Sequence, residues 1–228
     1  MDFDQFADRY DEMLVGQHSF FARERGFFHA SKIAHLRALA GPNVSSVLDF
    51  GCGIGGALPY LRQAFPDADV WGCDPSEESL REARAACPWA QFMEFDQQLD
   101  HRFDVIYVAC VMHHIPPAQW SETLRKAASI LAPGGIVAVF EHNPRNPVTR
   151  WLVRRCPFDA DAVLLRRREL LALFERAGLL VKRSEYFLIF PEALSWCARF
   201  EYLLGRLPIG GQYFVVGGHG PQEGGMRV

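Results

Sequence analysis

The chain has 228 residues, of which 49% are hydrophobic and 22% charged, a composition typical of one soluble globular domain. Its formal charge of -3 gives no electrostatic reason to expect a nucleic-acid partner. The six cysteines stand singly, which indicates neither a zinc ribbon nor a redox pair and predicts reduced thiols. The acidic start and the lack of a long apolar run predict a cytoplasmic protein without a membrane-spanning helix.

Two helices are predicted first, over residues 3–14 and 20–39, because apolar residues recur there three or four positions apart. After the break GPN, short apolar runs alternate with helical patterns. The predicted strands are 46–50, 69–73, 91–95, 105–109, 136–141, 181–189 and 213–217. The predicted helices between them are 56–65, 76–86, 118–131, 169–177 and 192–207.

Strands that alternate with helices imply right-handed crossovers and a mostly parallel sheet covered on both faces. We therefore predict a single α/β domain, doubly wound and Rossmann-like, over residues 1–228. It divides into an N-terminal helical cap (1–40), a cofactor-binding core (44–142), and a lid with the C-terminal elements (143–207). Ligands of such sheets lie outside the carboxyl ends of the strands, so the loops after strands one, two and four are the candidate sites.

The stretch VLDFGCGIGG places four glycines directly after an apolar strand. Glycines here let the backbone turn sharply and let a ligand approach closely. Taken alone, the loop also matches the GxGxxG pattern of dinucleotide sites, through Gly51, Gly53 and Gly56. A dinucleotide ligand therefore stays open as an alternative. Asp49, however, would repel a pyrophosphate and attract a cation, such as a sulfonium with an adjacent ammonium.

Acidic residues also end the second and third predicted strands. Asp74 lies about 20 residues beyond the glycines, where a carboxylate can accept hydrogen bonds from both hydroxyls of a ribose. The alternative is a residue of a helix start, because DPSEES has the composition of a first helical turn. Phe95 and Asp96 are suited to covering an adenine face and accepting from its amino group, with a turn cap as the alternative for Asp96.

In this order and spacing, the segments VLDFGCGIGG, VWGCDPS, FDVIYVACVMHHI and LAPGGIVAVFEHN resemble the successive motifs of class I S-adenosylmethionine-dependent methyltransferases. The likeness covers about residues 44–142, and the rest of the chain as far as residue 217 is compatible with the same family. It implies a seven-stranded sheet whose last strand runs antiparallel, and a helical lid between strands five and six. It also implies S-adenosylmethionine as methyl donor, S-adenosylhomocysteine as product, and no metal.

The resemblance assigns donor contacts to individual residues. Asp49 and Gly51 would hold the methionine end, Gly53 would approach the cofactor backbone, Asp74 would bind the ribose and Asp96 the adenine. The further candidates for cofactor binding are Cys52, Gly55, Pro75, Phe95 and Cys110.

Histidines follow the fourth and fifth predicted strands. Methyl transfer is an in-line displacement, in which a base is needed only if the nucleophile must lose a proton. His114, which the resemblance favours, and His113 are candidate general bases; the alternative is a packed imidazole. His142 is a third candidate, and Glu141 is a candidate for acceptor binding. Tyr10 is a candidate to close over the site from the N-terminal helix, with core packing as the alternative.

The predicted lid is rich in arginine. Residues 145–168 hold seven arginines and two aspartates, a local charge near +5. Arg150 and Arg154 are therefore candidates for binding an anionic acceptor or an anionic membrane surface, with a solvated helix face as the alternative. Aromatic residues over 187–202 are consistent with an apolar acceptor pocket, with peripheral membrane contact, or with packing on the sheet.

Together these patterns predict methyl transfer from S-adenosylmethionine to a hydrophobic small molecule, which can carry an acidic group or a lipid tail. Oxygen is the favoured acceptor atom. The alternatives are carbon methylation of a quinone or lipid-like ring, a non-catalytic S-adenosylmethionine-binding partner subunit, and, least favoured, a dinucleotide oxidoreductase. A nucleic-acid substrate is not predicted, since no base-flipping tetrad follows strand four. The patterns do not indicate an oligomeric state.

Overall fold

The sheet and its helices are seen in a computed structural model, which describes residues 26–94, 101–190, 192, 196 and 200–220. Its strands are β1 Ser46–Phe50, β2 Asp69–Asp74, β3 Gln91–Glu94, β4 Phe103–Ala109, β5 Leu131–His142, β6 Leu179–Phe187 and β7 Gln212–His219. Its α-helices are α1 Gly26–Leu39, α2 Leu58–Ala64, α3 Glu77–Ala86, α4 Trp120–Ser129, α5 Pro147–Arg155, α6 Arg167–Arg176 and α7 Glu201–Leu204.

The seven strands form one sheet in the order β3-β2-β1-β4-β5-β7-β6. Strands β1 to β5 pair in parallel, whereas β7 is antiparallel to both β5 and β6. The direction of winding reverses between β1 and β4, and such a reversal opens a crevice at the carboxyl ends of the strands. The predicted doubly wound fold with an antiparallel last strand is confirmed.

Two apolar cores cover the opposite faces of this sheet. One lies beneath α4 and α6, and the other lies beneath α1 and α2. Successive strand residues point to opposite faces, so Val139 belongs to the first core and Phe140 to the second. The same alternation at the end of β5 sends Glu141 toward the α4 side and His142 toward the α1 side.

The strand β5 begins earlier than the sequence predicts. Leu131 already pairs with Phe103, and the register shifts between Phe103 and Val105. This irregularity accommodates the Pro-Gly-Gly segment, in which Gly134 has a φ of 80°. The predicted helix 118–131 consequently ends at Ser129 rather than running into the strand.

The predicted lid between β5 and β6 is helical and contains α5 and α6. The helix α5 begins after Asn146, whose side-chain oxygen accepts from the backbone N–H groups of Val148 and Thr149. Of the predicted helix 192–207, the described part is α-helical only over α7. The predicted helix 3–14 lies outside the described residues. Within the described part, no helix combines the length and the apolar character that crossing a membrane requires.

Candidate functional site

The glycine loop follows β1 and turns at residues with positive φ. The φ angles are 82° at Gly51, 52° at Gly53 and 84° at Gly55. The backbone N–H groups of Gly51 and Cys52 both donate to the carbonyl oxygen of Cys73, at 2.8 and 2.9 Å, which ties the loop to β2. A Cβ on Gly53 would meet nothing within 4 Å, so this glycine presents an open backbone face to a ligand.

Gly51 differs from Gly53, because a Cβ there would lie 2.5 Å from Cγ2 of Val111. The substitution Gly51→Ala is therefore expected to lower the free energy of unfolding by about 1–3 kcal/mol, through positive φ and the clash. Urea unfolding measures the loss. The matched control is Gly41→Ala, at a position with open space and no positive φ. Equal losses in the two variants would contradict this explanation.

Asp74 links the end of β2 to the glycine loop. Its Oδ2 accepts from the Gly53 N–H at 2.8 Å, and its Oδ1 accepts from the Ser76 N–H at 3.0 Å. The N-cap of α3 is Ser76, whose hydroxyl accepts from the Ser79 N–H at 3.1 Å, with Pro75 exposed just before it. A carboxylate at this position is a group that can accept hydrogen bonds from ligand hydroxyls.

Asp49 lies on β1 beneath the loop and is 3% exposed. Burial, and next the charge of Asp74, raise the pKa of this carboxyl to about 8, while Lys32 acts in the opposite direction. Lys32 is itself buried on α1, and it is a site residue that the sequence analysis missed. The indication in the sequence is a lysine inside the apolar run FFHASKIAHL.

The thiols near the loop fall into two kinds. Cys52 and Cys73 are buried, and burial raises both pKa values, that of Cys73 to about 12, so these thiols stay neutral. Cys110 follows β4 with a φ of 59°. Burial opposes its ionisation, but Lys32 and His142 outweigh burial and lower its pKa to about 7. The structure shows no disulfide among the five cysteines that it describes.

His113 lies in a 3-10 turn directly after β4 and is 1% exposed. Its Nδ1 donates to Oε2 of Glu141 at 2.6 Å, and its Nε2 lies 3.4 Å from Oδ1 of Asp159. Burial opposes its charge, but the two carboxylates outweigh burial and hold the pKa of His113 well above its usual range. An imidazole in this state is a poor proton acceptor.

His114 and His142 lie beside this pair and are more accessible. The Nε2 of His114 is 3.6 Å from the same oxygen of Asp159. Burial, and next the charge of His113, lower the pKa of His114 to about 4. The ring of His142 is 5.1 Å from that of His113, and its Nδ1 is 3.5 Å from Nε2 of Gln212. The structure thus brings the three predicted histidines together.

Glu141 is fully buried, and both of its carboxylate oxygens bind groups of the protein. Oε1 accepts from the Met112 N–H at 2.8 Å, and Oε2 accepts from His113. Glu141 therefore orients the histidine turn rather than presenting a carboxylate to an acceptor. Asp159, which the sequence analysis did not single out, comes from the lid, and the Val163 N–H donates to the His113 carbonyl at 2.9 Å.

The other predicted site residues lie away from this cluster or outside the described part. Arg150 and Arg154 are exposed on α5, whose buried residues are Thr149 and Val153. The residues outside the described part are Tyr10, Phe95 and Asp96.

A cavity of about 480 Å³ lies between α1 and the segment that follows β6. Its lining is mainly apolar and includes Phe27, Ala34 and Leu188. Gln212 of β7 pairs with His142 on one side and with Phe187 on the other. Phe187, the neighbour of the lining residue Leu188, therefore lies two strands from His142, about 10 Å at the usual spacing of neighbouring strands.

Comparisons with known proteins give concordant matches. A family model described as a methyltransferase domain matches residues 22–183. A trans-aconitate 2-methyltransferase of Variovorax paradoxus is 32% identical over 123 residues, which are 52% of this chain and 47% of the relative. The chain thus spans about half the length of the curated relatives it matches.

Two solved structures have similar folds. A TehB-like SAM-dependent methyltransferase from Corynebacterium glutamicum superposes with a TM-score of 0.64 and 19% identity, covering 95% of this chain and 99% of that one. A SAM-dependent methyltransferase from Archaeoglobus fulgidus gives a TM-score of 0.68 and 16% identity, covering 92% and 99%.

Proposed function

Because the chain belongs to the methyltransferase-domain family that matches residues 22–183, we propose that it transfers a methyl group from S-adenosylmethionine to an oxygen atom of a small molecule. Family membership confirms that the chain has a methyltransferase domain, and the fold that it shares with SAM-dependent methyltransferases supports S-adenosylmethionine as the donor. One observation carries the proposal: the loop after β1 has an open backbone at Gly53, whose N–H donates to Asp74 at the end of β2, and Asp49 lies on β1 just before this loop.

These residues fit the chemistry of the donor. S-adenosylmethionine supplies an electrophilic methyl group on a sulfonium and also carries an ammonium. Once it has lost its proton, Asp49 offers the opposite charge to this cationic end, and Asp74 offers acceptors to the ribose hydroxyls. Gly53 lets the ligand lie against the backbone without hindrance from a Cβ.

We place the acceptor at the carboxyl ends of β4 and β5, beside His142 and His114. The mainly apolar cavity between α1 and the segment after β6 supports an acceptor with a hydrophobic body. The name of the Variovorax relative supports a carboxylate as the methylated group, and a carboxylate needs no base. A hydroxyl acceptor would need one, and His142 is our candidate because the buried, carboxylate-bound His113 is unsuited.

The outer face of α5 supports an acidic or membrane-bound partner at the lid. Val148 and Trp151 are exposed there, and the guanidinium of Arg155 lies 4.2 Å from the Trp151 ring. Arg150 and Arg154 add positive charge to the same helix. This combination suits contact with an anionic interface.

The test is transfer of a labelled methyl group from S-adenosylmethionine to trans-aconitate and to an aromatic hydroxy acid, with mass spectrometry of the products. We expect an O-methyl product. For the hydroxyl acceptor, His142→Ala is expected to lower kcat by about 10²- to 10⁴-fold, the usual contribution of a general base, without loss of donor binding.

The matched control is His219→Ala, because this exposed histidine ends β7 at the opposite edge of the sheet. A product methylated on carbon would replace the proposal with the alternative of carbon methylation. Donor binding without transfer to any tested acceptor would favour the non-catalytic partner subunit. An equal loss of kcat in both histidine variants would contradict the role of His142.

A further inference from the structure

We infer that His113, His114 and Asp159 form a binding site for one divalent transition-metal ion of the zinc type. Among the residues that the structure describes, these three bring one ligand atom each to within 4.8 Å of one another. Two imidazoles with one carboxylate are a ligand set that suits zinc and similar ions. The ligands come from the turn after β4 and from the lid, so no local spacing in the sequence reveals the site.

Two of the three separations between ligand atoms are close to those around a tetrahedral ion. Oδ1 of Asp159 lies 3.4 Å from Nε2 of His113 and 3.6 Å from Nε2 of His114. Ligands at about 2.0–2.1 Å from zinc lie about 3.3–3.4 Å apart at the corners of a tetrahedron. Three protein ligands leave a fourth position open.

The surroundings of His113 supply a second, independent observation. Its Nδ1 donates to Glu141 at 2.6 Å, and Glu141 is fixed in turn by the Met112 N–H. Metal-bound histidines usually donate their other ring nitrogen to such a carboxylate, which fixes the ring and directs Nε2 at the ion. The indole N–H of Trp120 holds the same turn by donating to the carbonyls of Met112 and Ile115.

An ion at this position would join the lid to the edge of the sheet. Asp159 comes from the lid, and the histidines come from the core beside the acceptor position. When the ion binds, Nε2 of His113 gives up its proton to solvent and coordinates instead. If the proposed function holds, on which this step rests, the open position takes an acceptor oxygen, and the ion stabilises its anionic form.

The test uses the full chain, freed of metal with a chelator and titrated with ZnCl2 and with CoCl2. We expect one ion per chain and the visible absorption of four-coordinate cobalt. Asp159→Asn and His114→Gln are each expected to weaken binding at least about 100-fold, and Glu141→Gln about 10- to 100-fold. The matched control is Asp161→Asn, at an exposed aspartate of the lid. Its metal affinity should stay within about twofold of that of the original chain.

Circular dichroism and S-adenosylmethionine titration of each variant establish that it is folded. Absence of saturable zinc or cobalt binding by the folded chain would overturn the inference, and so would unchanged affinity in Asp159→Asn and His114→Gln. Failure of the proposed function is a separate result: the chain would then bind cobalt but neither S-adenosylmethionine nor its product. Asp74→Ala separates the two sites, because it should lose the nucleoside ligand and keep the ion.

Discussion

Replacing Asp74 by alanine is expected to weaken S-adenosylmethionine binding by at least about 100-fold. The variant loses a carboxylate that can accept from the ribose hydroxyls, and each hydrogen bond to a charged group contributes about 1.5–3 kcal/mol. It also loses the 2.8 Å bond that holds the Gly53 N–H, so the open part of the glycine loop loses its support. Isothermal titration measures the change in affinity.

The matched control for this substitution is Asp69→Ala. Asp69 is the exposed first residue of the same strand, at the edge of the sheet opposite the site. It should leave the affinity unchanged within about twofold. Thermal unfolding of both variants separates loss of binding from loss of fold. Full affinity in a folded Asp74→Ala variant would show that the ligand does not contact this carboxyl.

Binding of S-adenosylmethionine at pH 7 is expected to release most of one proton from Asp49, because the raised pKa of about 8 leaves this carboxyl mostly protonated before binding. The cationic ligand favours the carboxylate and so expels the proton. Calorimetry in buffers of different ionisation enthalpy measures the number released. Asp49→Asn should bind at least about 100-fold more weakly and release no proton from this position.

The same pKa predicts how the stability of the unliganded chain depends on pH. The pKa of Asp49 is raised from 3.8 to about 8 on folding, so the folded state holds the proton more tightly than the unfolded state. Its contribution to the free energy of unfolding therefore falls as pH rises from about 4 to about 8. Asp49→Asn should be more stable than the original chain at pH 8, with a smaller difference at pH 5. The exposed control Asp69→Asn should show no such trend.

The donor half of the site could be predicted because its determinants are local. The strand 46–50 was predicted with its observed bounds, and the glycines that follow it adopt the positive φ angles that only glycine favours. Asp74 was predicted at the end of β2, where it contacts the loop. Each of these features depends on neighbours in the chain and on the known geometry of parallel sheets.

The acceptor half depends on contacts between distant segments, which a single sequence does not display. Asp159 contacts His113 from the lid, and the charge of Lys32 on α1 acts to lower the pKa of Asp49. Glu141 and His142 were both predicted to face the acceptor, yet adjacent strand residues point to opposite faces. Only the packing of α1 and α4 on the sheet shows that Glu141 is the one that turns toward Met112.

Isothermal titration of the unmodified chain with S-adenosylmethionine and S-adenosylhomocysteine tests the methyl-donor site most directly. We expect one saturable site for each ligand and a higher unfolding temperature when either is bound. A folded chain that shows neither binding heat nor stabilisation with both ligands would contradict the assignment of Asp49, Gly53 and Asp74 to a methyl-donor site.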